Sequence, residues 1–448
     1  FDHLSGGFCR YSTDELWMVP HFEKMLYDNG PLLSLYSQAW KINKNPLFFD
    51  AANETANWVM REMQSAEGGY YAAQDADSEG VEGKFFVWSK DEINFALAAC
   101  ADQNTSIKTD SIEHFRSRFG LDLPENFEGF WHLHGYLPES ELARKHKLDA
   151  NELHKQLHLI RQHLFKHREK RIHPETDSKI LCSWNGLMIH GMAVAGRLLE
   201  KPEFTASAIR AAYFIKNHCW KNHQLYASAS NSNHNAYVDD YAFLLYGLLE
   251  VLQNQWDNEL YQWTLELADR LLNDFEDTEY GGFYFTSHQH ETLIQRLKNF
   301  SDDAIPSGNA IAALALNRLA YLSGRQQYIE AAERCLKSAW TSINQSPVAH
   351  CALLNALHEY LSPPGILIMR TTGRDENDWQ AITQNYYLPF TLIYNIPAGQ
   401  TLHTSLNEKK AGHSSLAYPC HGIHCQKPLT TEAELQAYLR NNSYRILE

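Results

Sequence analysis

Apolar residues recur at i, i+3 and i+4 along ten stretches of the chain: 21–42, 46–64, 150–170, 184–200, 204–220, 238–255, 257–275, 306–323, 326–345 and 347–361. This spacing predicts amphipathic helices and a mainly α protein. Many stretches fall in adjacent pairs. In AGRLLEKPEF (195–204) and RLAYLSGRQQYI (318–329), Pro, Gly or Ser breaks one helix just before the next begins, the mark of a helical hairpin. The first helix of a pair is the more apolar, as at Tyr241–Leu252 and Ile311–Leu322. The second, as at 257–275 and 326–340, is the more charged. A ring of inner helices sheathed by outer ones produces that asymmetry.

A second theme runs between the hairpins. SGGFCRYS (5–12), EGGYYAAQDADSEG (67–80), HQLYASASNSN (223–233) and YGGFYFTS (280–287) recur, three of them a Gly pair followed by alternating aromatics. Glycine permits a tight turn, and the alternation suits a short strand. Their spacing fits a unit of about 55 to 60 residues that carries one large insertion, placed at about 85–180. From Pro363 onward the pattern changes. GILIMR (365–370) and FTLIYNI (390–396) read as buried strands beside a helix. The expected organisation is therefore a helical ring over 1–362 and a small α/β segment over 363–448 packed on it.

Composition narrows the function. A formal net charge of −15 argues against nucleic acid as a partner, and the basic run HLFKHREKRIH (163–173) is one short patch. No window approaches the roughly 18 consecutive apolar residues of a membrane span, and no signal-type h-region opens the chain. Aromatic residues reach 12%, with 11 Trp and 23 Tyr, enough for ring-lined surfaces as well as a core. A neutral or cationic small molecule is the expected partner. Eight cysteines (9, 100, 182, 219, 335, 351, 420, 425) are spread thinly through apolar patterns, which fits reduced thiols and the cytoplasm. The chain opens on Phe1 and a loop-like DHLSGG, as a fragment or processed product would.

Candidate chemistry gathers where inner helices begin: HFEKMLYDN (21–29), SWNGL (183–187), VDDYAF (238–243) and SDDAIPSGN (301–309). Asp and Ser at such points also serve as N-caps, which accounts for any one cluster. The pairs Asp239–Asp240 and Asp302–Asp303 exceed what a cap needs, so one carboxylate of each can cap while the other faces the lumen. Paired carboxylates with separated pKa values suit acid–base work on a polyol. Trp17, Trp184, Tyr241 and Tyr27 could stack on sugar faces or simply fill the ring. Pro20 is expected to start the first helix, with His21, Met25 and Asp28 on one face and Glu23 and Tyr27 on another.

Other patterns carry less. DADSEG (75–80) places Asp75, Asp77, Glu79 and Gly80 as an EF-hand would, but Phe86 stands where a bidentate Glu is required. In PCHGIHCQKP (419–428), Cys420, His421, His424 and Cys425 crowd a tetrahedral zinc site, so no metal is assigned. Those cysteines could equally form a redox pair or remain ordinary thiols. His190 reads as a core histidine. There is no G-x-S-x-G, Walker or Rossmann pattern, and no cofactor is expected.

GGFCRYSTDELWMVPHFEKMLYDN, QDADSEGVEGKFFVW, SWNGLMI, DDYAFL, GGFYFT and PSGNAIAALAL, followed by a C-x₄-C-x-x-P ending, resemble the thioredoxin-domain-containing, spermatogenesis-associated protein 20 family over nearly the whole chain. The resemblance implies an (α/α)₆ toroid of the six-hairpin glycosidase type. This chain would lack the first hairpin, retain about five, and lack a thioredoxin-like domain supplied upstream. At Cys9 the family pattern has His. A sugar-type cleft is implied, with Arg10, Tyr11, His21, Glu23, Asp28, Asp75, Asp77, Trp184, Asn185, Asp239, Asp240, Asp302, Ser307 and Asn309 as its carried-over residues. The expected activity is that of an epimerase, with His21 and His350 as acid and base, or of a hydrolase using Glu23 with Asp240 or Asp302. A non-catalytic binding module serving the thioredoxin-like domain is the alternative.

Overall fold

Glycine and alanine decide how closely the inner helices approach. A Cβ on Gly191 would stand 2.3 Å from the carbonyl oxygen of Gly30, and one on Gly247 2.6 Å from that of Gly186. Neither side chain beyond hydrogen fits. The computed structural model that shows this describes residues 1–448 apart from 104–105, 374, 401, 403, 423 and 445–448. Backbone contacts divide it into two compact units. The first comprises 1–25, 54–63 and 72–178, and the second comprises 26–53, 64–71 and 179–448.

The helices in chain order begin with α1 (Leu26–Asn43) and α2 (Pro46–Trp58), the latter running into a π turn at Val59–Met63. In the first unit, α3 (Lys90–Gln103), α4 (Thr109–Phe119), α5 (Glu139–His146) and α6 (Ala150–Arg168) enclose a core of their own around Trp88, Phe115, Leu157 and Ile160. They occupy the segment read as an insertion. Its floor is an ion cluster with almost no solvent exposure. Arg168 grips Asp2 with two guanidinium nitrogens at 3.0 and 2.8 Å, and Lys24 Nζ reaches the same carboxylate at 3.0 Å.

The second unit continues with α7 (Cys182–Leu198), α8 (Pro202–Cys219), α9 (Val238–Asn254), α10 (Asn258–Phe275), α11 (Gly308–Ser323), α12 (Gln326–Gln345) and α13 (Cys351–Leu361). Helices α1, α7, α9, α11 and α13 pack one on the next in that order, while α8, α10 and α12 each lie outside their chain predecessor. Nearly every side chain of α7, α9 and α11 is buried, whereas α10 and α12 bury one face. The fold is thus of the (α/α) toroid class, with five inner helices among the described residues. Among the described residues four helix pairs and a single inner helix, α13, make up this part, in keeping with a toroid short of its first hairpin.

The C-terminal part of this unit holds parallel strands Gly365–Thr371 and Thr391–Pro397, with Leu416–His421 antiparallel on the other side of the first. Helices α14 (Asp375–Gln384) and α15 (Glu432–Asn442) close a small core of Leu367, Met369, Trp379, Leu435 and Leu439. Cys420 and Cys425 are joined by a disulfide. The expectation of reduced thiols fails for this pair. Among the described residues no helix is long and apolar enough to cross a membrane.

Candidate functional site

The beginnings of the five inner helices are stitched to one another. At α1 and α7, the Tyr27 ring meets Trp184 edge to face with centroids 4.7 Å apart. Beside Trp184, Ser183 N donates to Asp240 Oδ1 at 2.8 Å, and Tyr237 N donates to Asp240 Oδ2 at 2.8 Å. One carboxylate therefore caps both α7 and α9. Asp302 repeats the device for α11 and α13: Ser307 N donates to its Oδ1 at 2.9 Å and Ala352 N to its Oδ2 at 2.8 Å. Asp302→Ala is expected to lower stability by about 2 kcal/mol, since two charge-assisted bonds at helix starts are lost. A shift of the urea midpoint at unchanged slope would register it.

Asp239 makes the remaining connection. Its Oδ1 lies 2.0 Å from where a Cβ on residue 308 would stand, so only glycine at the start of α11 leaves room for it. It makes no hydrogen bond among the described residues. Burial first, and then the negative charge of Asp240, push its carboxyl up to about 7. Burial also raises Asp240, to about 6, while the bonds from Tyr237 and Ser183 hold it back. Of the adjacent pair, Asp240 is engaged and Asp239 is chemically available.

The other polar residues at these helix starts hold backbone. Asn185 accepts from Tyr70 N at 2.8 Å and donates to Tyr70 O at 3.0 Å, and Asn309 does the same with Phe283 at 2.7 and 2.9 Å. Tyr70 and Phe283 each follow a Gly pair, which explains the recurring motif. Gly68 and Gly281 sit where a Cβ would come within 2.9 and 2.3 Å of carbonyl oxygens on outer helices α8 and α12, and the asparagine on the inner helix clamps the next residue. Ser307 Oγ donates to Asn299 O at 2.9 Å. His350 Nδ1 lies 2.7 Å from Ser346 O and its Nε2 3.4 Å from Ser301 Oγ, so both ring nitrogens have partners. His190 is the core histidine expected, stacked on Tyr246 at 3.9 Å and pushed down to about 4 by burial.

The first unit holds a separate cluster. Tyr11 stacks on His21 at 4.9 Å, His21 Nδ1 lies 2.7 Å from Glu82 Oε1, and Glu23 Oε2 is 3.6 Å from both His21 Nε2 and Arg10 Nη1. None of this is on a helix, because α1 starts at Leu26 rather than after Pro20. Residues 10–12 instead pair with 20–23, through Arg10 N to Glu23 O at 3.0 Å and His21 N to Tyr11 O at 2.8 Å. Burial of Phe22 against Phe86 and of Lys24 on Asp2 outweighs the helical pattern. The face assignments drawn from helical spacing therefore fall for His21 and Glu23. Trp17 is 81% exposed, at a positive φ of 57°, in a turn whose amides Asp14 binds. Asp75 and Asp77 are exposed, with Asp77 N on Asp75 Oδ1 at 3.2 Å, and nothing among the described residues ties them to Glu23. Asp28 is half-buried on α1, in the second unit.

No protein-family model matches the chain. It is 28% identical to spermatogenesis-associated protein 20 of Homo sapiens over 483 residues, which cover 98% of this chain and 60% of that one. It is 31% identical to the Rattus norvegicus protein of the same name over 386 residues, 80% of this chain and 49% of that one. The chain is related to spermatogenesis-associated protein 20. It spans between about half and three-fifths of the length of these relatives. Among solved structures, a cellobiose 2-epimerase from Bacillus thermoamylovorans aligns with TM-score 0.45 and 9% identity over 80% of each chain. A GH76 alpha-mannanase from Bacteroides thetaiotaomicron aligns with TM-score 0.42 and 9% identity, over 75% of this chain and 68% of that one.

Relatedness leaves the roles of individual residues to the geometry. Two further contributors leave little trace in the sequence. Gly308 makes space for Asp239, and the signal was its place directly after Ser307 at a helix start. Lys24 lies inside the opening motif, yet its burial on Asp2 has no local signature.

Proposed function

We propose that the helix-start face of the second unit binds a neutral sugar and that Asp239 acts there as a general acid. The observation that carries the reading is a half-buried carboxyl without a hydrogen-bond partner among the described residues, held protonated to about pH 7, at the start of an inner helix. An acid so poised can protonate a glycosidic oxygen near neutrality. Trp184, partly exposed on α7 and braced edge-on by Tyr27, offers a ring for stacking. Glycoside hydrolysis is favoured over epimerisation, because of the two histidines offered for an epimerase His350 is engaged through both ring nitrogens and His21 belongs to the cluster of the first unit.

A second reading has its own support. Asp240 and Asp302, the carboxylates offered with Glu23 for hydrolysis, are both committed to capping, and sugar binding without turnover, in service of a thioredoxin-like domain, fits that arrangement. The test is a panel of glycosides and reducing sugars offered to the protein and to Asp239→Asn, read by product formation and by calorimetry. Turnover by the parent and not by the variant supports the first reading. Saturable binding without turnover supports the second, and neither binding nor turnover contradicts both.

A further inference from the structure

The Cys420–Cys425 disulfide lies at a place where a staple is least needed and thiol chemistry is easiest. Its two cysteines face each other across the hairpin of Leu416–His421 and His424–Cys425, five residues apart in sequence. Closing so short a ring removes little freedom from the unfolded chain. The two sulfurs differ in access and in charge. Cys420 is buried, Cys425 is exposed, and the ammonium of Lys409 stands 2.9 Å from Cys425 Sγ. Both cysteines line a cleft of about 490 Å³ whose walls include Tyr321, Ile329, Leu406, Ile366 and Ile368. The free cysteines of the second unit are buried (Cys182, Cys219, Cys335) or, for Cys351, exposed with no cation beside the sulfur among the described residues.

We infer that Cys420 and Cys425 form a redox-active couple that exchanges with a protein dithiol or disulfide, with Cys425 as the exchanging sulfur and Cys420 as the resolving one. In the oxidising direction a partner thiolate attacks Cys425 Sγ. A mixed disulfide forms, the Cys420–Cys425 bond breaks, and Cys420 leaves as a thiolate and takes up a proton. The partner's second thiol, losing its proton, then attacks the partner sulfur of the mixed disulfide and releases Cys425 as a thiolate beside Lys409. Two electrons pass from partner to couple, and the partner becomes a disulfide. In reverse, the reduced Cys425 thiolate attacks a partner disulfide and Cys420 closes the cycle. A cation at the exchanging sulfur stabilises its thiolate, which speeds departure and makes the couple more oxidising. The apolar walls of the cleft suit a peptide segment flanking the partner cysteine.

The test equilibrates the whole chain with glutathione redox buffers and counts alkylated Cys420 and Cys425 by mass spectrometry. The couple is expected to titrate between fully reduced and fully oxidised within glutathione mixtures. In Lys409→Met the equilibrium should move about tenfold, or about 30 mV, toward the disulfide, and Lys409→Arg should restore it. Cys420→Ser should accumulate a glutathione adduct on Cys425 specifically. A disulfide that resists millimolar reduced glutathione until the protein is unfolded would overturn the inference. So would thiols that stay reduced in glutathione disulfide, or a Lys409→Met equilibrium equal to the parent's.

Discussion

Replacing Asp239 with Asn is expected to stabilise the protein at pH 8 while abolishing its action on a sugar. The sign follows from linkage. Folding raises this carboxyl from its ordinary value of 3.8 to about 7. Between about pH 4 and 7 the folded chain therefore holds a proton that the unfolded chain has released, and stability falls as pH rises through that window. Above about 7 the full penalty of a buried, unpaired charge is present. Asn carries no such charge. The gain in Asp239→Asn should be on the order of 2 kcal/mol at pH 8, discounted for the partial exposure of the group, and should vanish below about pH 4. Urea titrations at both pH values measure it. Turnover should move the other way, by about 10² to 10⁴-fold, since an amide cannot supply a proton to a leaving group. In the parent the rate should fall as pH rises through about 7. A residue that was merely structural would show the stability change or the rate change, but not this opposition.

Asp2→Ala is expected to be the most damaging single change to the fold. Burial alone would favour the protonated carboxyl, but Arg168 and Lys24 outweigh it and hold Asp2 well below the ordinary range. Its carboxylate is the shared counter-ion of two cations that are themselves almost wholly buried. Removing it leaves those buried cations without the carboxylate they share, at a cost of about 3 to 5 kcal/mol. Lys24→Met should cost less, because the two-pronged Arg168 contact survives. The contribution of Asp2 is present above pH 3.8, the carboxyl's ordinary value, and is lost as pH falls from there through its depressed folded value. Urea midpoints of the parent and Asp2→Ala, measured over a range of pH, should therefore converge in strong acid and separate above about pH 4.

Helices α7 to α12 could be read from the chain because each buries enough apolar surface to impose its period on the sequence. The start of α1 could not. In HFEK the apolar spacing is helical, yet Phe22 and Lys24 are claimed by Phe86 and Asp2, which lie far away in sequence, and strand pairing prevails. Helices α3 to α5 were missed for a related reason. They are short, and their buried residues, such as Ile112, Phe115 and Phe119 of α4, pack against one another and α6 rather than on an extended face.

At the site, residue types were legible and roles were not. The sequence offers Asp240 for catalysis and Asp239 for the cleft, and the function proposed above exchanges those roles. Adjacent helical residues project about 100° apart, and only the position of Ser183, on another helix, decides which carboxylate is consumed. Asn185 and Asn309 illustrate the same difficulty. An amide that would suit a sugar hydroxyl suits a peptide group equally well, and the Gly pairs had already created peptide groups that need one.

As the acid of the proposed site, Asp239 is protonated near neutral pH and faces a sugar. Carbon-13 NMR titration of aspartate carboxyls in the parent and in Asp239→Asn, with and without a saturating sugar, addresses it directly. One carboxyl should titrate near pH 7, be missing from the variant, and shift when sugar binds. A carboxyl of Asp239 that titrates near 3.8 and ignores every sugar would contradict it.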